Sequence, residues 1–520
     1  MTITQWFLFF LLIQLIHFLG TWKLYIKAGR KAWEAAIPVY NAVILMKIIN
    51  RPWWWTILLF IPIVNLIMFP VIWVETIRSF GRTNRFETLL VIVTLGFYIY
   101  YVNYILNPTY IEDRSLKPRS AMGEWVSSIL FAIIAATLVH TYLIQPFTIP
   151  TSSLEKTLLV GDFLFVSKFH YGARTPLTAV AFPMVHDTIP VLGIKSYLEK
   201  PQIPYFRLPG FENIERSDIV VFNWPVDTMM NMYYTDKYYY KPIDKKTNYV
   251  KRAVGVPGDT LQIINGKVNI NSKPLQLPGR SKLQFSYTGT TKGQAFDPHY
   301  LYERYDITDP YGYNPNTNTF RINLTEDVYE KFKNHPNVVS IKRNIDSAGV
   351  NEPGTFPNSD MLSWNKDNYG PIFIPKKGAT VPLTLESLPF YKRIIEVYEG
   401  SEMGNTNKIS VNGTQVLLNG TPIDSYTFKQ DYYWMMGDNR HNSLDSRYFG
   451  YVPENHVVGK PVFVWMSWDT NGNGIMNKIR WERLFTTVSG NSEPVSYLPY
   501  FLIAVVLLIG FNFFKKRRDS

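Results

Sequence analysis

Long apolar runs near both ends of the chain constrain its fold more than any other feature of the sequence. Each is long enough, or nearly so, to cross the roughly 30 Å hydrocarbon core of a bilayer. The runs are Trp6–Leu19, Trp53–Val74, Leu89–Leu106, Trp125–Ile144 and Tyr497–Phe514. No comparable run occurs between Ile144 and Tyr497. The sequence therefore predicts an integral membrane protein that carries one large polar domain.

Basic residues beside these runs predict the orientation of the polar domain. Arg114, Lys117 and Arg119 precede the fourth run, and the segment Lys515–Arg518 follows the last one. Basic flanks stay in the cytoplasm, so we expect the polar domain on the extracytoplasmic side of the plasma (inner) membrane. The chain would then be a multi-pass protein of that membrane.

The number of N-terminal spans stays open at this stage. The first run lacks a basic start and a small-x-small cleavage site, so we expect a retained span rather than a cleaved signal peptide. The basic clusters at 23–31 and 78–85 cannot both be cytoplasmic if the spans alternate strictly. The short segment Ile37–Ile49 would resolve this conflict as an additional crossing or as an in-plane segment.

Four parts follow from these boundaries. Residues 1–121 form an N-terminal multi-span block, 122–146 a transmembrane anchor, 147–490 the polar domain, and 491–520 a C-terminal helix with a basic tail. The polar domain carries insertions at about 173–215 and 276–407, which are rich in proline or in loop-forming residues.

Charge and composition exclude several classes of function. The net charge of +12 lies largely beside the apolar runs, as in membrane flanks, so we expect no nucleic-acid partner. The chain has no cysteine, which excludes disulfides and thiolate chemistry. Asp469 opens a segment similar to a calcium loop, but its twelfth position is Arg480 where a glutamate is required. We therefore expect neither a metal nor a cofactor.

The polar domain has the sequence pattern of a mostly β fold. Phe163–Phe169, Asp218–Trp224 and Tyr249–Val254 are β-branched or aromatic runs bounded by turn residues. Asn265-Gly266 predicts a hairpin between alternating flanks. Ile409–Ile423 contains two similar Asn-Gly pairs. This segment and the one around Asn265-Gly266 are either neighbouring hairpins or show a weak internal sequence similarity. Residues 276–407 look like an inserted cap of short strands and loops.

Three segments are dense in the small, polar and turn-forming residues that an active-site wall requires. They are Phe147–Asp162, Tyr249–Asp259 and Gly437–Gly450. The chain resembles the bacterial type I signal peptidases, which are membrane-anchored serine proteases that remove signal peptides from exported proteins. The resemblance covers, in the family's order, Phe147–Gly172, Arg216–Pro225, Tyr249–Asp259 and Gly437–Asp469. It implies an antiparallel β catalytic core with an inserted cap. Together with the apolar runs, we expect a mostly β fold that is anchored by transmembrane α-helices at both ends, although the C-terminal span and the extended N-terminal block are additions to the usual anchor of the family.

The resemblance also implies residue roles. Ser153 would be the nucleophile and Lys251 the general base, Thr151 would help to bind the oxyanion, and Ser443 would orient the lysine. The supporting wall would contain Gly437, Asp438, Asn439 and the ion pair Asp445–Arg447. The shallow pocket for small substrate residues would be lined by Ile149, Pro150, Leu154, Leu158, Tyr249 and Val250.

The chemistry explains why these residue types are needed. A serine hydroxyl becomes a good nucleophile only when a base accepts its proton, and lysine can replace histidine in that role. The lysine must be neutral, so its pKa of about 10.4 must fall by roughly three units, at a cost of about 4 kcal/mol supplied chiefly by desolvation. The apolar neighbours Val250, Ala253 and Val254 suit that requirement.

We therefore expect an endopeptidase that cuts after small-x-small residues through an acyl-enzyme. Its expected partners are signal peptides of secreted preproteins and membrane lipid, in functional proximity to the secretion translocon. A general housekeeping role and a dedicated processing role are both compatible with the sequence. Ser152 stands where the family commonly has glycine, and Glu155-Lys156 replaces a Met/Pro-type pair. Residues Ala28–Met68 resemble a small membrane domain of unknown role.

Other interpretations of the same residues stay open. Ser153 and Lys156 satisfy the S-x-x-K motif of penicillin-binding proteins, although the chain contains no K-[ST]-G tripeptide. Ser152 and Glu155 have the spacing of a helix capping box. A non-catalytic membrane scaffold built on a peptidase-like domain is a further alternative.

Overall fold

The computed structural model describes residues 1–118, 120–229, 238–472 and 474–519, so Arg119 of the predicted basic flank lies outside the described residues. The chain divides into two compact units. The first contains Met1–Leu143 together with Thr175–Arg207, and the second contains Ile144–Arg174 and Leu208–Ser520. Each unit is described separately below.

Helices make up most of residues 1–143. They are α1 (Ile3–Lys27), α2 (Tyr40–Ile48), α3 (Trp55–Leu58), α4 (Val64–Ser79), α5 (Arg85–Val93), α6 (Tyr98–Tyr104) and α7 (Ala121–Leu138). Within the described ranges, three helical segments are long and apolar enough to cross a membrane: Ile3–Lys27, Ala121–Leu143 and Leu498–Lys515. These correspond to the first, fourth and fifth apolar runs of the sequence. Apolar helices near both ends are therefore confirmed.

Neither the second nor the third apolar run forms one continuous helix. The second is interrupted between α3 and α4, where Pro62 disfavours a helical Ile61 and Ile63 has a φ of 70°. The third consists of α5 and α6, which are bent by 118° relative to each other. A Cβ on Gly96, whose φ is 88°, would lie 2.8 Å from the Trp73 ring. A side chain therefore does not fit at this bend.

Strands dominate the second unit. The strands are β1 (Ile144–Thr148), β2 (Asp162–Ser167), β3 (Ile219–Asn223), β4 (Asn248–Gly255), β5 (Thr260–Ile264), β6 (Lys267–Ile270), β7 (Lys273–Pro274), β8 (Gln284–Thr291), β9 (Gly312–Asn314), β10 (Thr319–Thr325), β11 (Val338–Arg343), β12 (Tyr369–Phe373), β13 (Thr380–Pro382), β14 (Ile409–Asn412), β15 (Gln415–Leu418), β16 (Thr421–Pro422), β17 (Ser425–Thr427), β18 (Tyr432–Met436), β19 (Val452–Pro453), β20 (Val457–Ser467) and β21 (Thr486–Thr487). Its helices are α8 (Pro298–Tyr305), α9 (Glu326–Phe332), α10 (Leu388–Arg393), α11 (Ser446–Phe449), α12 (Ile475–Lys478) and α13 (Leu498–Asp519).

The largest sheet has the order β1-β2-β20-β3-β4-β18-β19, with β21 paired to β20, and its neighbours are antiparallel. Successive side chains of a strand point to opposite faces, and both faces of this sheet are covered. Val220 and Phe222 belong to one apolar cluster, whereas Ile219 and Val221 belong to another. The predicted fold class, mostly β with an antiparallel core and apolar helices at both ends, is confirmed.

The predicted hairpins form at their Asn-Gly turns. Asn265 and Gly266 have φ values of 50° and 75°, the left-handed pair that joins β5 to β6. The later pairs join β14 to β15 and β15 to β16. Side chains from both regions, including Ile263 and Val416, share one buried apolar cluster. They are neighbouring hairpins that pack on a common core.

The cap within residues 276–407 is more regular than the sequence predicts. Strands β11-β8-β10-β9 form an antiparallel sheet in which β8 and β10 pair from Thr290–Thr319 to Gln284–Thr325. Helices α8 and α9 pack with this sheet around Phe285, Phe320 and Phe332. The segment therefore contains helices and its own hydrophobic core, which the prediction of short strands and loops did not include.

Candidate active site

The predicted nucleophile lies on a closed loop between β1 and β2. The loop is fastened at its base because Ile149 N donates to Asp162 O and Gly161 N donates to Ile149 O, both at 2.9 Å. A Cβ on Gly161 would lie 1.9 Å from the Trp468 carbonyl oxygen, so only glycine fits there. Within the loop, Ser152–Leu154 form a single 3₁₀ turn with Ser153 at its centre.

Lys251 is held on a central strand and reaches this turn. Lys251 is opposite Val220 of β3 in the antiparallel pairing, and β4 is also paired with β18. The Lys251 Nζ and Ser153 Oγ atoms are 2.5 Å apart, although the residues are separated by 98 positions. The structure therefore brings together the two groups that the sequence predicts as base and nucleophile.

Burial changes the proton affinity of this lysine. Lys251 is 4% exposed, and Ala253 and Val254 beside it are fully buried. Desolvation lowers the pKa of Lys251 from 10.5 to about 8, against the carboxylates of Asp445 and Asp438, which raise it. The direction agrees with the requirement for a neutral lysine, and near pH 8 a large fraction of Lys251 is uncharged.

The segment after β18 forms a wall against the nucleophile turn. Asn439 N donates to the Ser153 carbonyl at 3.1 Å, and Asn439 Nδ2 donates to the Ser152 carbonyl at 3.1 Å. A Cβ on Gly437 would lie 2.3 Å from Ser443 Oγ and 2.5 Å from Ser153 O. The glycine therefore permits this close approach of the wall to the turn.

Two buried ion pairs support the wall. Arg447 binds Asp445 through two hydrogen bonds of 2.8 Å. Arg252 binds Asp438 through bonds of 2.8 and 2.6 Å. Burial alone would raise the pKa of either aspartate, but the paired arginine holds it below its ordinary value. Removing one partner of such a pair leaves an uncompensated buried charge.

Two other predicted residues have side chains that are free for a ligand. Thr151 is exposed, and its side chain does not cap the 3₁₀ turn. Ser443 Oγ is buried and has no hydrogen-bond partner among the described residues. Ser443 therefore does not contact Lys251 through a hydrogen bond in this structure, and the predicted roles of Thr151 and Ser443 stay predictions.

Most of the predicted pocket residues lie together. Ile149, Leu154 and Leu158 are buried in one apolar cluster, against which Val250 packs. Tyr249 packs instead in the neighbouring cluster, where its ring stacks on Trp224 with centroids 5.1 Å apart. Pro150 is exposed. The structure therefore gathers four of the six residues into one apolar cluster.

The cap supplies contacts to the nucleophile turn that the sequence analysis missed. Buried Asp309 accepts hydrogen bonds from Asn439 Nδ2 at 2.5 Å and from Asn442 Nδ2 at 3.4 Å. Thr308 Oγ1 donates to Glu155 at 2.7 Å. Asp306 pairs with Lys156 at 2.8 Å. These residues lie in a stretch without a recognisable motif, so no local signal identified them.

These contacts bear on the alternatives based on residues 152–156. Lys156 is bound to a carboxylate of the cap, whereas Lys251 is the lysine within hydrogen-bonding distance of Ser153. Ser152 lies inside the 3₁₀ turn, and its Oγ accepts from Asn442 Nδ2 at 2.9 Å. Glu155 accepts from Thr308 instead of closing a capping box.

No group of three or more His, Asp or Glu side chains that could hold a metal is found in the part of the chain that the structure describes. Asp469, which opens the segment similar to a calcium loop, accepts hydrogen bonds from Tyr302 at 2.7 Å and Arg480 at 3.2 Å. Its carboxylate is therefore occupied by protein donors.

Two family models match this sequence. The model described as signal peptidase, peptidase S26, matches residues 122–306 and 339–468, which together are more than half of the chain. A family of unknown function (DUF5684) matches residues 33–113. The second match covers much of the helical N-terminal block.

Curated relatives agree with the first of these matches. A signal peptidase I of Buchnera aphidicola subsp. Acyrthosiphon pisum is 23% identical over 393 residues, which are 74% of this chain and 90% of that protein. A signal peptidase I of Haemophilus influenzae is 26% identical over 400 residues, which are 72% of this chain and 79% of that protein. One of Rickettsia massiliae is 30% identical over 165 residues, which are 32% of this chain and 48% of that protein.

Proposed function

Because the chain belongs to the signal peptidase family, peptidase S26, we propose that it is a membrane-bound endopeptidase that removes N-terminal signal peptides from exported preproteins. Ser153 acts as the nucleophile and Lys251 as the general base. The observation that carries this proposal is the 2.5 Å distance between Ser153 Oγ and the Nζ atom of a buried lysine whose pKa is lowered to about 8.

In the acylation step, Ser153 Oγ attacks the carbonyl carbon of the scissile peptide while its proton passes to Lys251 Nζ. The negative charge then develops on the former carbonyl oxygen. In this proposal the backbone N–H of Ser153 and the hydroxyl of Thr151 donate to it, and one such donor contributes about 2.7–4 kcal/mol in a comparable protease. When the C–N bond breaks, Lys251 returns the proton to the leaving amine.

The acyl-enzyme is then hydrolysed by the same groups. A water molecule gives its proton to neutral Lys251 and attacks the ester carbon, and the tetrahedral intermediate collapses with protonation of Ser153 Oγ. The signal peptide leaves with a new C-terminal carboxylate. No step requires a metal or a cofactor.

The apolar cluster that includes Leu154 supports the proposal of cleavage after small-x-small residues. Ile149, Leu154 and Leu158 are already buried against each other, and Val250 packs against them. A wall that is already closely packed accommodates a methyl group more readily than a long side chain. The cleavage site therefore prefers alanine or glycine in this position.

Catalysis takes place on the extracytoplasmic side, at the surface of the plasma membrane. The basic residues that precede α7 and those in the last turns of α13 support this orientation. Signal peptides emerging from the secretion translocon are the substrates, and lipid surrounds the apolar helices. The sequence of a preprotein around its small-x-small site, rather than its mature domain, is the part that the site recognises.

The test is cleavage of a model preprotein by purified protein in detergent. Ser153→Ala and Lys251→Met are each expected to reduce kcat/KM by at least about 10³-fold, since the two groups act as a unit. Lys156→Ala is the matched control, because it removes the neighbouring lysine without changing the dyad. Thermal unfolding of each variant shows that the fold is retained.

The competing interpretations give different results in this assay. Loss of activity in Lys156→Ala with cleavage by Lys251→Met would contradict the assignment of the base and favour the S-x-x-K mechanism. A wild-type protein that leaves several preproteins intact would favour the scaffold or a dedicated protease of narrow specificity.

A further inference from the structure

An insertion of the peptidase region forms a long antiparallel arm, which we call the hairpin arm and define as Thr175–Arg207. Its two sides are joined by Thr175 N donating to Phe206 O at 3.0 Å and by bridges that pair Thr178 with Gln202, Ala181 with Tyr197, and Thr188 with Lys195. The arm belongs to the same compact unit as the N-terminal helical block rather than to the unit that holds the rest of the polar domain.

The tip of the arm, residues 189–194, has the sequence Ile-Pro-Val-Leu-Gly-Ile. Two backbone hydrogen bonds close the tip: Ile189 N donates to Ile194 O at 2.8 Å, and Gly193 N donates to Ile189 O at 3.0 Å. Its side chains are exposed: 105% for Val191, 65% for Leu192 and 58% for Ile194. Outward apolar side chains on a turn that is closed by its own hydrogen bonds suit the lipid interface.

The exposed surface of the arm extends beyond its tip. Phe182, Met184 and Leu198 are also exposed large apolar residues. Their exposure matches that of Val506 and Leu508 in the apolar helix α13. A contiguous apolar surface of this kind is rare on the water-facing side of a protein and marks an interaction site.

Contacts with the helical block indicate which partner covers this surface. Ala181 and Tyr197 of the arm form a buried cluster with Ile63, which precedes α4. The indole nitrogen of Trp6, in the first turns of α1, donates to Gln202 O at 2.9 Å. The arm thus packs on the ends of two apolar helices, where a membrane-spanning block meets the headgroup region of the bilayer.

The charge distribution along the arm fits the same partner. The tip has no ionisable side chain, whereas Asp187 and Lys195 lie just outside it and Lys195 forms an ion pair with Glu199. Segments that lie in a membrane interface place apolar residues in the acyl region and charged residues among the headgroups. A surface that binds a protein can include charged residues, so the absence of every ionisable side chain from the tip favours lipid as the partner.

From these contacts and exposures we infer that the tip of the hairpin arm is inserted into the lipid bilayer next to the helical block. Since residues 174 and 208 continue into the peptidase region, the arm is a third attachment of that region to the membrane, besides α7 and α13. This inference is independent of the Ser153–Lys251 mechanism.

The absence of cysteine from the sequence allows a direct test. Val191→Cys and Leu192→Cys are each labelled with an environment-sensitive fluorophore, and the protein is reconstituted in phosphatidylcholine vesicles with or without spin-labelled lipid. Val350→Cys in the cap, where the native side chain is 56% exposed, is the matched control. Thermal unfolding and cleavage of a preprotein confirm that each labelled protein is folded.

We expect blue-shifted emission and strong quenching by the spin-labelled lipid at positions 191 and 192, and neither effect at 350. Emission at 191 and 192 that matches the control at 350 would overturn the inference. Shielding that develops only when a preprotein or another protein is added would also overturn it, because the occupant would then be that protein rather than lipid.

Discussion

Two regions of the second unit contact the turn around Ser153. The antiparallel sheet contributes a lysine, and the cap contributes a carboxylate that pairs with a lysine of the turn segment. From the antiparallel sheet, Lys251 reaches Ser153 Oγ from a buried strand. From the cap, Asp306 binds Lys156, three positions after Ser153. The sheet supplies the buried amine of Lys251, and the cap supplies the Asp306 carboxylate, which forms an ion pair with the amine of Lys156. Sequence distance from the serine therefore does not identify the base.

The two regions also differ in the kind of support that they give. The sheet side is built from ion pairs between residues of the recognisable motifs, such as Arg252 with Asp438. The cap side relies on Asp309, which gathers amide donors from Asn439 and Asn442. We infer that the sheet side determines the chemistry and that the cap side determines how firmly the turn is positioned.

The largest effect is expected from a change on the sheet side. Gly437→Ala places a Cβ within 2.3 Å of Ser443 Oγ and 2.5 Å of Ser153 O, so the wall must move away from the turn. A displacement of about 1 Å in a catalytic group lowers kcat roughly 10²-fold. Gly312→Ala is the control, since its Cβ would meet nothing closer than 3.9 Å. Activity within twofold of wild type would contradict the close packing.

A smaller effect is expected from Asp309→Asn on the cap side. The substituted amide can no longer accept from Asn439 and Asn442 with two oxygens, which weakens charge-assisted hydrogen bonds worth about 1.5–3 kcal/mol each. We expect kcat to fall about tenfold, or 1.4 kcal/mol, with little change in KM, since the residue positions the turn without touching substrate. Asp360→Asn, an exposed change in the cap, should leave both constants unaltered. An increase in KM alone would indicate a substrate contact instead.

The pH dependence tests the electrostatic difference between the two lysines. Catalysis needs neutral Lys251, whose pKa is about 8, so kcat/KM should rise as the pH rises through 8. Between pH 7 and 9 the neutral fraction grows from about 9% to about 91%, roughly a tenfold increase. The same profile is expected for Lys156→Ala. A profile that is flat above pH 6, or one that Lys156→Ala shifts, would show that another group is titrating.

The smallest effect is expected where the cap contacts Glu155. Thr308→Val keeps the side-chain shape but removes the 2.7 Å hydrogen bond to this buried carboxylate. The free energy of unfolding should fall by about 1 kcal/mol, and Tm by no more than about 3 °C, with kcat/KM within threefold of wild type. Thr317→Val, in an exposed turn of the same cap, is a suitable reference. A loss of activity similar to that of Gly437→Ala would mean that the cap also controls the chemistry.

The sheet side could be predicted from the sequence because its information is local. The runs that became β2, β3 and β4 are β-branched or aromatic between turn residues, and the dyad lies in segments with a recognisable order. The interruption at Pro62 also had a local signal, which the high hydrophobicity of the run Trp53–Val74 concealed. Long apolar runs were therefore overestimated as continuous spans.

The cap side could not be predicted in the same way. The contact of Asp309 with Asn439 joins residues 130 positions apart, and Asp309 is marked by no local pattern. Strand β10 alternates buried Phe320, Ile322 and Leu324 with less buried residues, whereas β8 carries three threonines and a glycine and packs in the apolar cluster that it shares with α8 and α9. Contacts of this kind form only when segments that are distant in the sequence pack together, so local sequence patterns do not predict them.

The position of Lys251 on β4 has a consequence for the way the enzyme is inactivated. Backbone amides of a strand that is paired on both sides exchange with solvent deuterium only through large openings of the structure. Since β4 lies between β3 and β18, its amides should be among the slowest to exchange in the chain. Partial unfolding at the margins of the sheet would then leave the base in place. Because Ser153 lies between β1 and β2 at one margin of the same sheet, heating is expected to abolish activity by displacing the nucleophile before the amides of β4 begin to exchange.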